Sequence, residues 1–292
     1  MSNPRLTARM IAEPGLTELP SPPLKRIPDM SKTRAANRPR AHFGEAGARL
    51  IFLMLGLIMF CAGTASATPS RVIAVPSTNV LEYGAARFDV ETYNTFMKKS
   101  ADGGWNLINY GVTYGLIPYT VGKSWGMEIG LDYRDLNGSI PAAADSPLFF
   151  NLKFAVHEGA FFSDYFPGIA VGILDYGGKG DATAANIMYL AASKSFFGSW
   201  RVQGGFYSGS GSVLVDETGQ ASSSGPMASI EYQLNKKWWF AADGLLGKNR
   251  YASMNLGAGY LLQPGVRLIM AYDMYANSNL KPTVSFQLLM DY

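Results

Sequence analysis

From residue 83 to the end, the chain consists largely of segments of about ten residues in which apolar side chains alternate with polar or small ones. A period of two is typical of β-strands with one apolar and one polar face. The last segment shows it clearly, because Val284, Phe286 and Leu288 share one face while Thr283 and Ser285 lie on the other. The pattern predicts an all-β fold of about twelve strands, with ten and fourteen as open alternatives.

The predicted strands cover residues 83–97, 105–117, 125–135, 147–157, 167–177, 185–197, 199–209, 226–234, 237–246, 251–262, 265–275 and 282–292. The fifth and sixth are ambiguous in phase. In the fifth, Ile169, Val171 and Ile173 run into Asp175 on the same face, so the inward side is not defined.

The connections between these segments alternate in length. Turns centred on Gly198, on residues 235–236 and on residues 263–264 are short, whereas residues 210–225 and 276–281 form longer loops. Short turns at one end and longer loops at the other are typical of outer-membrane barrels. We therefore expect an antiparallel up-and-down transmembrane β-barrel over residues 83–292.

Charge content favours lipid on the apolar face. Charged residues make up 16% of the chain, against about 25% in soluble domains. A soluble β-sandwich carries many charges on its polar face, whereas a membrane barrel turns its apolar face to lipid and its polar face to the interior. Tryptophans at strand starts are expected at the membrane interface; these are Trp105, Trp125, Trp200, Trp238 and Trp239.

Residues 1–67 read as an export leader. The apolar block at residues 50–60 is shorter than the roughly 20 residues of a spanning helix. Arg49 precedes it and Ala65-Ser66-Ala67 follows, which is the pattern of a secretory signal peptide with cleavage after Ala67. Residues 68–82 are then expected to be a short periplasmic lead-in to the barrel. The true start codon stays open.

The basic balance of the whole chain belongs to this leader. It holds nine of the 25 Lys and Arg and four of the 22 Asp and Glu, so the remainder is slightly acidic. We therefore expect no nucleic-acid partner. The one cysteine, Cys61, also lies in the leader, so no disulfide is expected in the exported chain.

The C-terminal segment resembles the final strand of Gram-negative outer-membrane β-barrel proteins. In that family a terminal aromatic residue with apolar residues at alternate positions before it is read by the barrel-assembly machinery. The matching residues are Val284, Phe286, Leu288, Met290 and Tyr292. The resemblance implies location in the outer membrane and contact with the lipid bilayer, the export machinery and the assembly machinery. It does not identify a subfamily.

With the apolar face outward, charged side chains of both signs point into the barrel. The predicted lumen-lining residues are Arg87, Glu128, Asp132, Arg134, Lys153, Arg201, Glu231, Asp243, Arg267 and Asp273. Such a wall suits a narrow porin-like channel for small polar solutes or ions. Paired charges that fill the interior would instead make a non-conducting structural or partner-binding barrel, which is the first alternative.

Catalytic motifs are sparse. His157 is the only histidine after the leader, which excludes a two-histidine metal site. We expect no metal, no cofactor and no enzymatic activity. The second alternative, an outer-membrane lipid-modifying hydrolase, would depend on His157 as a base for a serine.

Overall fold

Twelve antiparallel strands form a single closed sheet in the computed structural model of the chain. The structure describes residues 70–95, 106–117, 124–135, 147–161, 165–178 and 183–292. The strands are β1 (Ala86–Thr95), β2 (Asn106–Gly115), β3 (Trp125–Asp135), β4 (Leu148–Val156), β5 (Gly168–Tyr176), β6 (Ile187–Phe196), β7 (Trp200–Ser208), β8 (Ser224–Gln233), β9 (Trp238–Leu245), β10 (Ser253–Gln263), β11 (Val266–Tyr275) and β12 (Thr283–Asp291).

Each strand pairs with its neighbours in the chain, and β1 pairs with β12 to close the barrel. The expected all-β architecture with twelve strands is confirmed, and every strand begins and ends within three residues of its predicted bounds. The largest difference is at β1, which was expected to begin at residue 83. Gly84 has φ +79° and forms a turn there, so the strand begins at Ala86.

A β-bulge resolves the ambiguous phase of β5. Its pairing with β4 shifts between Phe150 and Leu152, and Asp175 has φ 54°. The extra residue turns Asp175 inward, where it is 1% exposed. Sequence alternation alone placed Asp175 in phase with outward residues.

The two ends of the barrel differ in their connections. At one end, the turn end, residues 197–199, 234–237 and 264–265 make tight turns. At the other, the loop end, residues 209–223 and 246–252 form longer loops. The first residue of β1, Ala86, and the last residue of β12, Asp291, both lie at the turn end.

The outer surface is apolar around the strands. Phe206 is 69% exposed and Met188 is 61% exposed, and their neighbours on the outer face are similarly open. Other outward residues include Tyr110, Val112, Ile129, Leu131, Phe150, Leu190, Leu256, Met270 and Phe286. A continuous apolar band on a closed barrel is the surface of a protein that lies in a bilayer.

Aromatic pairs border this band at the turn end. Trp200 packs on Tyr232 with ring centroids 4.5 Å apart, and Trp238 packs on Tyr260 at 4.7 Å. Trp239 does not belong to this girdle, contrary to expectation. It is 3% exposed and faces the interior, because adjacent residues of a strand point to opposite sides. Trp105 falls outside the described residues.

Within the described ranges, no helix is long and apolar enough to cross a membrane. The expected leader, its apolar block at residues 50–60 and the cleavage position after Ala67 lie outside the described residues.

Candidate functional site

The barrel interior holds a separate stretch of chain, residues 70–81, which we call the inner segment. It forms a small hairpin in which Arg71 pairs with Pro76 and the amide of Val72 donates to the carbonyl of Val75 at 2.8 Å. Val72, Ile73 and Val75 are at most 1% exposed. Residues 70–81 of the expected periplasmic lead-in at residues 68–82 thus lie inside the barrel.

A carboxylate on β9 anchors the hairpin. The amides of Ile73, Ala74 and Val75 donate to Oδ2 of Asp243 at 2.8, 2.9 and 2.8 Å. The side-chain amide of Asn255 donates to the other oxygen at 2.8 Å. Successive amides that converge on one anion form a backbone nest. Hydrogen bonds to a charged acceptor are about twice as strong as neutral ones, so Asp243 fixes the segment to the wall.

The opposite side of the wall contacts the two ends of the segment. Lys153 Nζ donates to the carbonyls of Ser70 at 2.5 Å and Asn79 at 2.9 Å. The amide of Leu81 donates to Glu128 Oε2 at 2.8 Å, and Glu128 also pairs with Lys153 at 2.9 Å. Two of the predicted lumen-lining residues thus bind the inner segment and each other.

Four further contacts join the inner segment to residues of β6, β7 and β12. Thr78 Oγ1 is 2.6 Å from Ser193 Oγ, and Arg201 donates to Thr78 as well. Gln203 donates to the carbonyl of Pro76 at 2.8 Å, and Gln287 to that of Ile73 at 3.2 Å. The segment is therefore held from nearly all sides.

Apolar side chains of the inner segment fit two hydrophobic clusters on the wall. Val72 and Ile73 pack in a cluster that includes Trp239, Ile269 and Ala271. Val75 belongs to a second cluster. The latter contains Ala155, Ala170, Leu174, Ala185, Ile187, Tyr189, Ala191, Tyr207, Val213, Leu214, Met227 and Leu245.

Glycines in the strands make room for the segment. A Cβ on Gly257 would lie 2.9 Å from Cδ1 of Ile73, and one on Gly126 would lie 2.6 Å from Cγ2 of Val80. The sequence pattern shows small inward residues, but it does not show that a stretch of the same chain packs against them.

The loop at residues 209–223 closes the loop end of the lumen. Val213 is 2% exposed and Leu214 is fully buried, and both belong to the cluster that contains Val75. The side-chain amide of Asn249 ties this loop to the wall through Tyr207 Oη at 2.9 Å and the carbonyl of Ser222 at 2.7 Å. The lumen is thus occupied from both ends.

All ten predicted lumen-lining residues lie on the inner face, and most pair with another wall residue. Arg87 forms a two-pronged pair with Asp291 at 2.5 and 2.8 Å across the strands that close the barrel. Arg134 pairs in the same way with Asp175 at 2.5 and 2.6 Å. Asp175 and Asp291 were not among the predicted lumen residues.

The remaining predicted residues are less tightly paired. Arg201 lies 3.8 Å from Glu231, and Arg267 lies over the ring of Trp239 at 5.9 Å. Asp273 accepts a hydrogen bond from Thr283 at 2.9 Å.

The wall carries more anionic than cationic groups. The cationic side chains on the inner face of the described strands are Arg87, Arg134, Lys153, Arg201 and Arg267. The anionic ones are Asp89, Glu91, Glu128, Asp132, Asp175, Glu231, Asp243, Asp273 and Asp291. The inner face therefore carries five positive and nine negative side chains. The inner segment compensates part of this negative surplus, because Arg71 pairs with Glu91 and backbone amides of the segment donate to Asp243.

A polar cavity with a volume of about 60 Å³ lies beside the inner segment. A water requires about 10–15 Å³ of such volume, so the cavity has room for a few waters. Its lining includes Arg71, Asp89, Glu91, Asp132 and Lys153.

His157, the base that a hydrolase would need, lies directly after β4. Burial lowers the pKa of His157, and the positive charge of Arg201 lowers it further. Among the residues that the structure covers, no group of three or more His, Cys, Asp or Glu is arranged to hold a metal ion.

Glu158 lies in the connection between β4 and β5, outside the strands, and bonds this connection to the end of β6. Its carboxylate accepts hydrogen bonds from Lys194 at 2.6 Å and from the amide and hydroxyl of Ser195 at 3.0 and 2.8 Å. Burial alone would raise the pKa of Glu158, but the hydrogen bonds from Lys194 and Ser195 hold it below its usual value.

We expect Glu158→Gln to lower the free energy of unfolding by less than about 1 kcal/mol at neutral pH, because the pair with Lys194 is partly exposed. A lowered pKa in the folded state means that the stabilisation is complete above the unfolded-state pKa and is lost as pH falls through the folded-state pKa. Urea unfolding of wild type and variant should therefore converge as pH falls below 4.5, the usual value for this group. A difference that stays constant to pH 3 would contradict this assignment.

Comparison of the sequence with protein-family models and with curated proteins found no match. Comparison of the fold with solved structures found many similar barrels, and three of those matched over most of their own length follow. An outer membrane channel from Pseudomonas putida F1 has 11% identity and a TM-score of 0.44, with 78% of this chain and 100% of that one covered. A KdgM porin has 7% identity and a TM-score of 0.45, with 71% and 98% covered. Outer membrane phospholipase A from Escherichia coli has 15% identity and a TM-score of 0.42, with 73% and 94% covered. With its closed sheet of twelve antiparallel strands and its apolar outer band, the chain has the fold and the outer surface of a β-barrel that spans a membrane.

Proposed function

We propose that the chain is a narrow outer-membrane channel for small polar solutes or ions, which is closed in the described conformation by the inner segment. The observation that carries this proposal is that the strands do not fill their own interior. Small inward residues, among them Gly126, Ala155, Gly257 and Ala271, leave a space that a separable stretch of chain occupies.

The chemistry of the wall supports passage of polar solutes. Its inner face carries charges of both signs, and a lumen of twelve strands lies between small filled barrels of about eight strands and aqueous porins of about sixteen. Once the inner segment leaves, the carboxylates of Asp243 and Glu91 line open space instead of contacting residues 70–81.

Weakening the anchor on β9 tests the proposal. Asp243→Asn keeps the shape of the side chain but removes the charge that three amides share. We expect a loss of about 1.4 kcal/mol in docking of the inner segment, and hence about tenfold more time in the open state. The measurement is single-channel conductance of protein purified from outer membranes and placed in planar bilayers.

Asp273→Asn is the matched control, because Asp273 is also an inward carboxylate and its described partner is Thr283, not the inner segment. It should open no more often than wild type. Equal opening by both variants would contradict the role given to the inner segment.

The non-conducting barrel is the second candidate, and a specific observation favours it. Ile73 and Val75 are fully buried in wall clusters, and Leu214 fills the loop end. If the interior is a permanent core, Asp243→Asn will lower stability without producing any current. Partners would then bind through the loop at residues 209–223.

A further inference from the structure

Three carboxylates on the two strands that flank β2 face the polar cavity beside the inner segment. Asp89 and Glu91 lie on β1 and Asp132 lies on β3; we call them the acidic cluster. Gly111 of β2 pairs directly with Asp89 on one side and with Asp132 on the other. A Cβ on Gly111 would lie 2.3 Å from Oδ2 of Asp89, so only glycine leaves this carboxylate its place in the lumen.

Asp89 is the least satisfied member of the cluster. It is 7% exposed, and its Oδ2 has no hydrogen-bond partner among the described residues. Burial of an unpaired carboxylate oxygen is costly, and a native protein keeps such a group where a ligand or ion completes it. Asp132, by comparison, accepts from Asn151 at 2.9 Å.

The inner segment places one cation in this cluster. The guanidinium of Arg71 donates to Glu91, and the charges of Asp132 and Asp89 also stabilise it. Tyr93 Oη donates to the second oxygen of Glu91 at 3.2 Å, which orients that carboxylate toward the lumen.

The cations of the wall are mainly engaged elsewhere. Arg87 is paired with Asp291, and Lys153 is paired with Glu128. Arg134 makes its short contacts with Asp175 and lies 3.5 Å from Asp132. When the inner segment leaves, Glu91 and Asp89 therefore lose the one cation that the segment supplies.

We propose that the acidic cluster is a binding site for a small solute with a guanidinium group, and that Arg71 occupies this site as an internal ligand. The planar fork of a guanidinium matches carboxylates in a two-pronged way that a compact ammonium does not. The inference rests on the proposed function in one respect, because the solute reaches the cluster when Arg71 of the inner segment moves away from it. Such a solute competes with Arg71 and so favours the open state.

Direct binding tests the site independently of conduction. The probe is methylguanidinium, and methylurea is its neutral counterpart of nearly the same shape. By calorimetry on the intact barrel in detergent, we expect Arg71→Ala to bind methylguanidinium at least tenfold more tightly than wild type, because the internal competitor is gone. Methylurea should not bind to either protein.

Two substitutions then locate the site. In the Arg71→Ala background, Asp89→Asn and Glu91→Gln should each weaken methylguanidinium binding at least tenfold, whereas Glu158→Gln, which lies in the connection after β4 and bonds to the end of β6, should not change it. Retained heat-dependent gel mobility shows that each barrel is folded. Undetectable binding to folded Arg71→Ala, or binding that neither substitution in the cluster weakens, would overturn the site.

Bilayer currents separate failure of the site from failure of the channel. A reversal potential that favours methylguanidinium over potassium, and that Asp89→Asn abolishes, supports both proposals. Calorimetric binding without any current supports the site and contradicts the channel. Current without calorimetric binding supports the channel and overturns the site.

Discussion

A Thr78→Cys/Ser193→Cys double variant will conduct only when it is reduced. The two hydroxyl oxygens are 2.6 Å apart, one on the inner segment and one on β6, and both residues are 2% exposed. Sulfur atoms in these places are close to the distance of a disulfide, about 2.05 Å. The only cysteine of the chain is Cys61, so none of the described residues is a native cysteine that could compete for the two introduced thiols.

The effect of the disulfide on conduction is best measured in the Asp243→Asn background, where we expect frequent openings. We expect the oxidised protein to show no openings and the same molecules to conduct after addition of a reductant. Either cysteine alone should give channels that are insensitive to the reductant. Steady current through a protein with a verified cross-link would contradict closure by the inner segment, and silence in both redox states would favour the non-conducting barrel.

Arg87→Met will destabilise the barrel more than any other single change considered. Arg87 and Asp291 are each 2% exposed at the side chain and join β1 to β12. Removing one partner of a buried ion pair leaves an uncompensated charge and costs about 3–5 kcal/mol. We expect this loss in the free energy of unfolding by urea, together with a lower temperature for the change in gel mobility.

A double variant distinguishes the charge from the packing. Arg87→Met/Asp291→Leu removes both charges, so most of the lost stability should return. Lys194→Met is the matched control for a single broken pair, because Lys194 and Glu158 are partly exposed and their pair is worth about 0.2–1 kcal/mol. A loss in Arg87→Met no larger than in Lys194→Met would show that the closing pair contributes little.

The strand pattern could be predicted because each strand of a membrane barrel has to alternate along its whole length. β11 and β12 therefore appear in the sequence almost as they appear in the structure. The inward position of Asp175 could not be predicted, since a single bulge reverses the phase after it. A positive φ at a non-glycine residue leaves no signal in a hydropathy pattern.

The inner segment could not be predicted for a different reason. Residues 70–81 have no period of their own, and the features that accommodate them are spread over several strands. Gly126 lies on β3, Asp243 on β9 and Gln287 on β12. Each looks like an ordinary inward residue in its own strand. Only the closed barrel brings them around one hairpin.

The anchoring of the inner segment also has a consequence for how barrels of this kind are completed. The amides of residues 73–75 bind a carboxylate roughly 170 positions later in the chain, and Ile73 binds Gln287, which is 214 positions away. Contacts of such long range form late in folding. A barrel that lacks its final strands offers residues 70–81 no place to dock, and we expect them to stay accessible to proteases. Protection of residues 70–81 from proteolytic cleavage therefore indicates that β12 has paired and closed the barrel.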